Sequence, residues 1–578
     1  MTYFQGSVGA GLRLLAAAAS LMLLVTGCGS EARDPGPGAG VEAPPWPRNR
    51  SDLEADPGIR YGSLANGMRY AIYANDRPAG QASVRLHFRV GSMMEADDER
   101  GLAHFLEHMA FNGSETVPEG EFVKTLERLG LKFGPDTNAA TGRFSTTYKL
   151  DLPDVSDTYL DTAFLLMREL SDRLLLEADA IDRERGVVLA EARTTLSPER
   201  RFGDAFRSFL LPGTRGSRRD PIGTSETIKT LPRQAFVDFY NRYYTPERAF
   251  FVIAGDIDPD AIERRLDATF ADWTQPEAAA ADARIVPWSP VDPTPDHRAG
   301  FFHDPKLSTY VSISQLKRYE HAPDNRATRL RALKESLANS IVNRRLTSAV
   351  RDGDAPFISG RIGNGSVWRT ADYATISLTT ESQQWRSALA VAEQTLRQAL
   401  DRGFTPAELD DQLANRRVAL ETAAKSADTR YSSVLAGRLV SRYANRAVLT
   451  HPRRDLAWFD AVADTLTPEA VHEAFVRIWQ GDGPRRLFLG SPEPLDRPSE
   501  AILAAYEASA ETSVSPPRDA ARADFAYTDF GRPGAIAERR EVADLDLTQI
   551  RFDNNVMLNV KRTDFVDDEV RISVGFGG

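Results

Sequence analysis

The chain has 578 residues, of which 42% are hydrophobic and 26% are charged, and this is the composition of a globular protein. Its length exceeds what a single hydrophobic core usually supports, so we expect roughly two to four domains. The formal net charge of −11, from 71 basic and 82 acidic residues, argues against a nucleic-acid-binding protein, in which basic side chains usually form a patch.

The N-terminus has the pattern of a secretory signal peptide. Arg13 precedes an apolar run from Leu14 to Val25 that is too short to span a bilayer. The run ends in "VTGC", which resembles the lipobox of bacterial lipoproteins and makes Cys28 the candidate for lipidation. We therefore predict a signal peptide at 1–28 and a membrane contact through a lipid anchor, facing the periplasm at the outer membrane. An uncleaved anchor or a chance cysteine is the alternative.

Strands and helices are predicted to alternate from about residue 55. Before that point, residues 29–54 are rich in Pro and Gly and predict an extended tether. Alternation and β-branched or aromatic content predict strands at 68–75, 82–92, 146–152 and 248–257. Helical periodicity predicts helices at 96–111, 155–175 and 178–196, the first with acidic residues at its start. We assign this first domain to residues 55–275.

A second strand and helix region follows a Pro-rich linker at 276–297. Its predicted strands cover 310–316 and 485–491, and its predicted helices cover 331–351 and 404–426. We assign the second domain to 298–492 and a further linker to 493–545. The segment "GRIGNGS" at 360–366 lacks the Lys-Ser/Thr of a phosphate-binding loop, so we interpret it as a turn. This layering is typical of an α+β fold.

The C-terminal segment repeats an earlier pattern. "IRFDNNVMLNVKRTDFVDDEVRISVGFGG" (550–578) echoes "IRYGSLANGMRYAIYANDRPAGQASVRLHFRVGS" (59–92) in an Ile-Arg-aromatic start, an Asn-led turn and two strands. We predict that 546–578 begins a third, repeated domain that is incomplete here, as in the front part of a longer duplicated protein. Two unrelated hairpins with similar turn residues are the alternative.

The segment "GLAHFLEHMAFNG" (101–113) carries the candidate chemistry. On a helix, His104, Glu107 and His108 share one surface, because residues three and four apart lie one turn apart. Two such imidazoles can bind one metal ion, and a carboxylate that stays off the metal can accept a proton. His-x-x-Glu-His is the inverzincin signature. Two surface histidines beside a solvated glutamate are the structural alternative.

Four segments together resemble the insulinase/pitrilysin family of zinc metallopeptidases, which includes mitochondrial processing peptidase. They are "GLAHFLEHMAFNGSE" (101–115), "TNAATGRFSTTYKL" (137–150), "RERGVVLAE" (183–191) and "FYNRYYTPERAFFVIAGDIDP" (239–259). The resemblance implies tandem homologous domains, each a mainly antiparallel sheet packed against helices, that form one half of a clamshell. The first would be the catalytic zinc peptidase domain and the second a non-catalytic companion.

The resemblance also implies the remaining site residues. With His104 and His108, Glu191 would be the third ligand of one Zn²⁺ per chain, and Glu184, two turns earlier, a supporting catalytic carboxylate. The separation of Glu191 from His108, 191 − 108 = 83 positions, is somewhat longer than the family's usual spacing. Glu184 as the ligand would bring the spacing closer, but the local pattern "RERGVVLAE" matches the family at Glu191, so we prefer Glu191 and keep Glu184 as the alternative ligand.

The implied activity is zinc-dependent endopeptidase hydrolysis of extended or unfolded peptides, with water activated by zinc and Glu107 as general base. Asn138, Ala139 and Thr141 would form the strand edge that binds the peptide substrate. A missing C-terminal half or a partner subunit would close the clamshell, and without it the chain would be weakly active or inactive. The alternative function is a non-catalytic peptide-binding or structural lipoprotein of the same fold.

Overall fold

The computed structural model describes residues 46–274, 291, 298–353, 355–481, 483–517, 527–564 and 570–577. The predicted signal peptide with Cys28, most of the tether, and the 276–297 linker except Val291 lie outside these ranges. Every helix within them is too short or too polar to cross a membrane.

The described secondary structure alternates between strands and helices along the chain. The strands are β1 (Ile59–Ser63), β2 (Arg69–Ala74), β3 (Ala82–Phe88), β4 (Thr137–Thr141), β5 (Thr146–Leu152), β6 (Ala249–Gly255), β7 (Ala299–His303), β8 (Thr309–Arg318), β9 (Ser359–Val367), β10 (Ala371–Thr380), β11 (Arg486–Ser491), β12 (Ile536–Val542), β13 (Leu547–Phe552) and β14 (Met557–Val560). The α-helices of the first part are α1 (Leu102–Met109), α2 (Glu121–Arg128), α3 (Asp157–Asp172), α4 (Ala178–Thr194), α5 (Pro198–Leu210), α6 (Arg215–Arg218), α7 (Ser225–Thr230), α8 (Arg233–Tyr243) and α9 (Pro259–Phe270). Those of the second part are α10 (Arg326–Arg351), α11 (Trp385–Arg402), α12 (Pro406–Lys425), α13 (Ser432–Ala444), α14 (Pro452–Ala463), α15 (Pro468–Trp479) and α16 (Pro498–Ala510). Short 3₁₀ helices occur at Pro47–Arg50, Ser92–Met94, Pro246–Arg248, Ser382–Gln384, Ser426–Thr429 and Ala543–Leu545.

The first sheet has the strand order β1-β2-β6-β3-β5-β4 and is antiparallel except for the β2–β6 pair. Strands β3 and β6 are buried along their whole length because both faces of the sheet are covered. One face packs against α1, α3, α4, α8 and α9 in a single apolar core. Strand β4 lies at the edge, so one side of its backbone has no neighbouring strand in the sheet.

The second sheet repeats the topology of the first but, within the described residues, has no counterpart of β1. Its order is β7-β11-β8-β10-β9, and only the β7–β11 pair is parallel. Helices α10, α11 and α15 supply much of its core. The prediction of mainly antiparallel sheets packed against helices is confirmed.

The two sheets exchange helices across their outer faces. Helix α13, from the second part of the chain, covers the outer face of the first sheet, where Tyr443 stacks on Phe250 with 4.0 Å between ring centroids. Helix α5, from the first part, covers the outer face of the second sheet, where Phe206 lies 5.1 Å from Phe488. Each sheet therefore needs a segment from the other part of the chain to bury its second face.

The structure corrects two boundaries of the predicted linkers. The end of the predicted tether is packed, because the Trp46 indole lies 5.0 Å from the Tyr61 ring and 5.8 Å from Phe250. The prediction that 493–545 is a linker is wrong for Pro498–Ala510, which form α16, and for Ile536–Val542, which form β12. Ile502 of this helix is buried in the second core, and this burial explains a helix that the flanking prolines and polar residues obscured.

The interpretation of 360–366 as a turn is also wrong, because these residues lie within β9. Strand β9 pairs along β10 from Ser359↔Thr379 to Val367↔Ala371. Gly360 suits this strand since a side chain there would collide with Leu378, whose Cδ2 would lie 2.4 Å from the added Cβ. A glycine that marks close packing in a strand has the same sequence appearance as one in a turn.

Near the C-terminus, β12, β13 and β14 form a three-stranded antiparallel sheet. The β13–β14 hairpin resembles the β1–β2 hairpin in chain order and in its antiparallel pairing. Strand β14 is exposed along its length and β13 is mostly half-buried, whereas β2 is mostly buried. That 546–578 begins a repeated domain stays a prediction.

Candidate metal centre

Helix α1 carries both histidines of the motif on the side away from its buried apolar face. Leu102, Phe105, Leu106 and Met109 are buried in the first core, and the Phe105 ring meets Phe236 of α8 edge-on at 4.8 Å. The opposite face turns towards α4. Packing of the apolar stripe therefore fixes the rotation of the helix about its axis, and with it the direction of the histidines.

The N-terminus of α1 is capped by a carboxylate from outside the helix. The prediction of a helix from residue 96 is wrong, because the helix begins at Leu102 after Gly101, whose φ is +93°. Glu95 Oε2 accepts a hydrogen bond from the Gly101 N–H at 3.1 Å, and Oε1 accepts one from the Ala103 N–H at 3.0 Å. These bonds satisfy two amides that the helix itself leaves free, so they hold the first turn in place.

Two arginines bind the backbone carbonyl of Glu95. Glu95 has no exposed surface, and this burial raises the pKa of its carboxyl group to about 8, despite the two amide hydrogen bonds that favour the ionised form. Arg215 and Arg219 both donate to the Glu95 carbonyl oxygen, Arg219 through Nε at 3.1 Å. The start of the helix is thus anchored to the segment around α6.

The three predicted metal ligands converge on one point. His108 Nε2 lies 3.3 Å from Glu191 Oε2, and His104 Nε2 lies 3.7 Å from the same oxygen. One donor atom from each residue falls within 4.8 Å of the others, and this is the one such cluster of three histidine, cysteine or acidic residues among the described residues. Two imidazoles and one carboxylate are a donor set of catalytic zinc sites, so these residues fit a zinc ion.

Glu184 lies on the other side of the His108 ring. Its Oε1 accepts a hydrogen bond from His108 Nδ1 at 2.7 Å, and its Oε2 accepts one from Asn112 Nδ2 at 3.3 Å. A carboxylate on Nδ1 fixes the tautomer that leaves the Nε2 lone pair free for a metal. Glu191 therefore lies next to the Nε2 atoms of both histidines. Glu184 lies on the Nδ1 side of His108, where it can orient the ring.

The two histidines differ in their proton affinity. Burial lowers the pKa of His104 to about 4, so this imidazole is neutral near pH 7. Burial also acts on His108, but the hydrogen bond and charge of Glu184 outweigh it and raise the pKa of His108. His104 Nδ1 is buried without a hydrogen-bond partner among the described residues, so only His108 has a carboxylate orienting its ring.

Glu107, the predicted proton acceptor, lies on α1 with the two histidines. It is 8% exposed, and its Oε2 is buried without a hydrogen-bond partner among the described residues. Burial raises the pKa of its carboxyl group, and hydrogen bonds from Thr141 oppose that rise. A buried acceptor oxygen with free capacity is what a general base for an incoming water requires.

The predicted substrate-binding residues lie on the edge strand next to α1. Asn138 is exposed on β4, and Ala139 and Thr141 are half-buried. Among the described residues β4 pairs with β5, and Thr137 makes one further isolated bridge with Phe133. The structure thus brings an open strand edge to Glu107 through Thr141. Backbone groups on such an edge can bind an added peptide strand.

Sequence reasoning missed Glu95, Asn112 and the contact between Gly101 and Gly223. The two glycines touch so closely that a Cβ on Gly223 would lie 2.4 Å from the Gly101 Cα. In "GSMMEADDE", Glu95 is one of four acidic residues, so no local pattern singles it out as the capping residue. The glycine pair is separated by too many residues for a local pattern to show it.

Two family models match the chain. One describes the insulinase peptidases (peptidase family M16) and matches residues 70–201. The other describes the peptidase M16 inactive domain and matches residues 230–415. The first range includes the candidate metal ligands His104, His108 and Glu191, and the second range includes much of the second sheet.

Curated relatives and solved structures extend this similarity. The chain is 39% identical over 216 residues to a probable zinc protease PqqL of Haemophilus influenzae, covering 37% of the chain and 23% of the relative. It is 29% identical over 434 residues to the probable zinc protease PqqL of Escherichia coli, covering 74% of the chain and 44% of the relative. The crystal structure of the first half of the periplasmic protease PqqL from Escherichia coli aligns with a TM-score of 0.73 at 25% identity, covering 81% of this chain and 100% of that one. The chain thus spans less than half the length of these two curated relatives.

Proposed function

Because the chain belongs to the insulinase family of peptidases (peptidase family M16), we propose that it is a zinc-dependent endopeptidase acting on extended or unfolded peptides. The observation that carries the proposal is the convergence of His104, His108 and Glu191, with the free carboxylate oxygen of Glu107 beside them. This arrangement combines a metal-binding donor set with a proton acceptor that is not needed as a ligand.

The residues of the site divide the work of hydrolysis. The zinc ion would be held by His104, His108 and Glu191, and when bound it supplies Lewis acidity that makes water nucleophilic near neutral pH. Glu107 removes a proton from the attacking water and delivers it to the amide nitrogen as the peptide bond breaks. Glu184 keeps the His108 ring in its orientation throughout.

The substrate is proposed to bind as an added strand along β4. Main-chain hydrogen bonds from a strand edge depend little on the side chains of the bound peptide, so they suit substrates of varied sequence. Only a chain that can become extended can pair in this way, and this requirement favours unfolded peptides over folded proteins. Thr141 ends β4 and hydrogen-bonds to Glu107, so a peptide paired with this edge would lie close to that carboxylate.

A second half or a partner subunit is proposed to complete the enzyme. The relatives are more than twice as long as the part that matches this chain. A matching half that closes over β4 would exclude bulk water and strengthen the interactions of the substrate with the site.

The alternative function is binding without hydrolysis, as a structural or peptide-binding lipoprotein of the same fold. A direct comparison of an unstructured peptide with a stably folded protein, using the full-length zinc-loaded enzyme, tests both possibilities. We expect cleavage of the peptide and little cleavage of the folded protein. Peptide binding without any cleavage would instead support the alternative.

The site of action is proposed to be the periplasm, with anchoring through Cys28. The relative named above as a periplasmic protease supports the compartment, and the "VTGC" sequence supports the anchor. We expect the protein expressed in a bacterium to fractionate with membranes, and Cys28→Ser to release it into the soluble periplasmic fraction. Because one acyl chain binds a membrane only marginally, the anchor requires more than one. Unchanged membrane association of the serine variant would exclude this anchor.

A further inference from the structure

The hairpin that joins β9 and β10 in the companion domain has a strained tip. Trp368 and Arg369 have φ values of +50° and +52°, and the Thr370 N–H donates to the Val367 carbonyl at 2.9 Å. A turn with positive φ at both central residues is normally built from Asn, Asp or Gly. Bulky residues persist in this conformation when their surroundings hold them there, and such positions often have a function.

Trp368 packs against two parts of the catalytic domain. The Arg143 guanidinium lies 3.9 Å from the centroid of its ring. Gly216, whose carbonyl oxygen accepts a hydrogen bond from Arg143 Nε at 3.3 Å, also lies against the indole. A Cβ on Gly216 would lie 2.5 Å from Trp368 Cε3, so the absence of a side chain there makes the close approach possible. Burial lowers the pKa of Arg143 to about 10, and a partly desolvated cation interacts more strongly with an aromatic face.

Arg369 forms the reciprocal contact. Its guanidinium lies 5.1 Å from the ring centroid of Phe144, and it also donates to the Ala444 carbonyl at 3.0 Å. Each of the two turns therefore contributes one arginine and one aromatic ring to the other. Two such pairs define the position of one turn against the other better than a single contact could.

The turn that receives these contacts, residues 142–145, lies next to the proposed site. It follows Thr141, which hydrogen-bonds to Glu107. The Met93 N–H donates to the Arg143 carbonyl at 2.9 Å, and Met93 lies two residues before the helix-capping Glu95. The hairpin tip thus touches the element that connects the substrate-binding edge to the start of the metal-binding helix.

We propose that Trp368 is a positioning residue through which the companion domain holds the β4 edge in its substrate-binding arrangement. The inference rests on the proposed peptidase function. Without the Trp368–Arg143 contact, the 142–145 turn and the end of β4 keep the Arg369–Phe144 contact and their backbone hydrogen bonds but lose one restraint, and peptide binding must complete their ordering. The entropy lost in that ordering weakens substrate affinity, because a preorganised site loses less entropy on binding.

The test uses Trp368→Gly in the full-length protein. Glycine relieves the strain of the left-handed conformation, whereas loss of the indole packing and the greater freedom of the unfolded chain oppose folding, so the thermal midpoint should fall only slightly. The zinc content should be unchanged. We expect KM for an unstructured peptide to rise about 3- to 10-fold while kcat changes less. Partial unfolding would produce the opposite pattern, a lower apparent kcat with KM unchanged, and that result would overturn the proposal.

Three further variants separate the ring contact from the turn. Trp368→Phe keeps an aromatic face and should restore most of the affinity. As a single substitution, Arg143→Ala should raise KM. In the Trp368→Gly background it should raise KM little further, because both substitutions remove the same contact. Asn555→Gly, at another left-handed residue with φ +64° in the remote β13–β14 hairpin, should leave KM unchanged.

Amide hydrogen exchange gives a readout that does not depend on cleavage. The Met93 N–H, bonded to the Arg143 carbonyl, should exchange faster in Trp368→Gly than in the unmodified protein. Failure of the unmodified protein to cleave peptides would overturn the proposed function and leave this exchange result to decide the inference. Unchanged exchange at Met93 would overturn the positioning role even in an active enzyme.

Discussion

Replacement of Glu107 by glutamine is expected to lower peptide hydrolysis by at least about 100-fold while zinc stays bound. Loss of a general base typically costs on the order of 10²–10⁴-fold in rate, and glutamine removes the proton acceptor with little change in shape. The buried, unpartnered Oε2 of Glu107 is the atom whose basicity is lost. The comparison requires kcat with a saturating unstructured peptide and zinc content on the same full-length preparation.

Two controls make the result specific. Glu127→Gln changes an exposed glutamate on α2 and should leave both quantities unchanged. Peptide affinity should survive Glu107→Gln, since the backbone of β4 is not altered. Loss of zinc along with activity would show that Glu107 is a ligand, and unchanged hydrolysis would show that the chemistry lies elsewhere.

Replacement of His108 by alanine is expected to remove zinc almost completely from a protein that otherwise carries about one ion per chain. Mutation of residues that merely orient a ligand costs about 10–100-fold in metal affinity, so loss of the ligand itself should exceed that range. His108 also holds Glu184, and its loss leaves that partly buried carboxylate without its imidazole partner. Elemental analysis after dialysis against a weak chelator measures the effect.

The matched control is His303→Ala. His303 is an exposed histidine on β7 that makes a hydrogen bond to the Pro492 carbonyl, so its loss tests the general effect of removing an imidazole. We expect full zinc content in that variant. Full zinc content in His108→Ala would contradict the assignment of this residue as a ligand.

Local sequence patterns predict those elements in which the order of apolar and polar residues matches the order of buried and exposed side chains. Strand β5 was predicted at 146–152, and its alternating exposure matches the alternating side chains of "TTYKLDL". Helix α16 was missed because Ile502 owes its burial to distant core residues. The start of α1 was placed too early, since acidic residues before Gly101 have the composition of a first turn but the capping carboxylate belongs to Glu95.

In the candidate site, too, residues close in sequence are predictable and residues distant in sequence are not. His104, Glu107 and His108 are close in sequence, so helical periodicity alone places them on one face. Glu191 entered only through a resemblance, because no local rule relates it to the histidines. The contact of Trp368 with Arg143 joins residues on different sheets, and neither position has a pattern that would reveal its partner.

The exchange of α5 and α13 between the sheets makes the companion domain an obligate folding partner. Residues 55–275 alone would expose the face of β6 that carries Phe250 and Val252, which α13 covers. The two parts of the chain therefore fold as one cooperative unit. Truncation at the domain boundary would expose an apolar sheet face and cause aggregation. Substitutions that weaken the packing of Tyr443 on Phe250 would therefore destabilise the first sheet, although Tyr443 belongs to the second part of the chain.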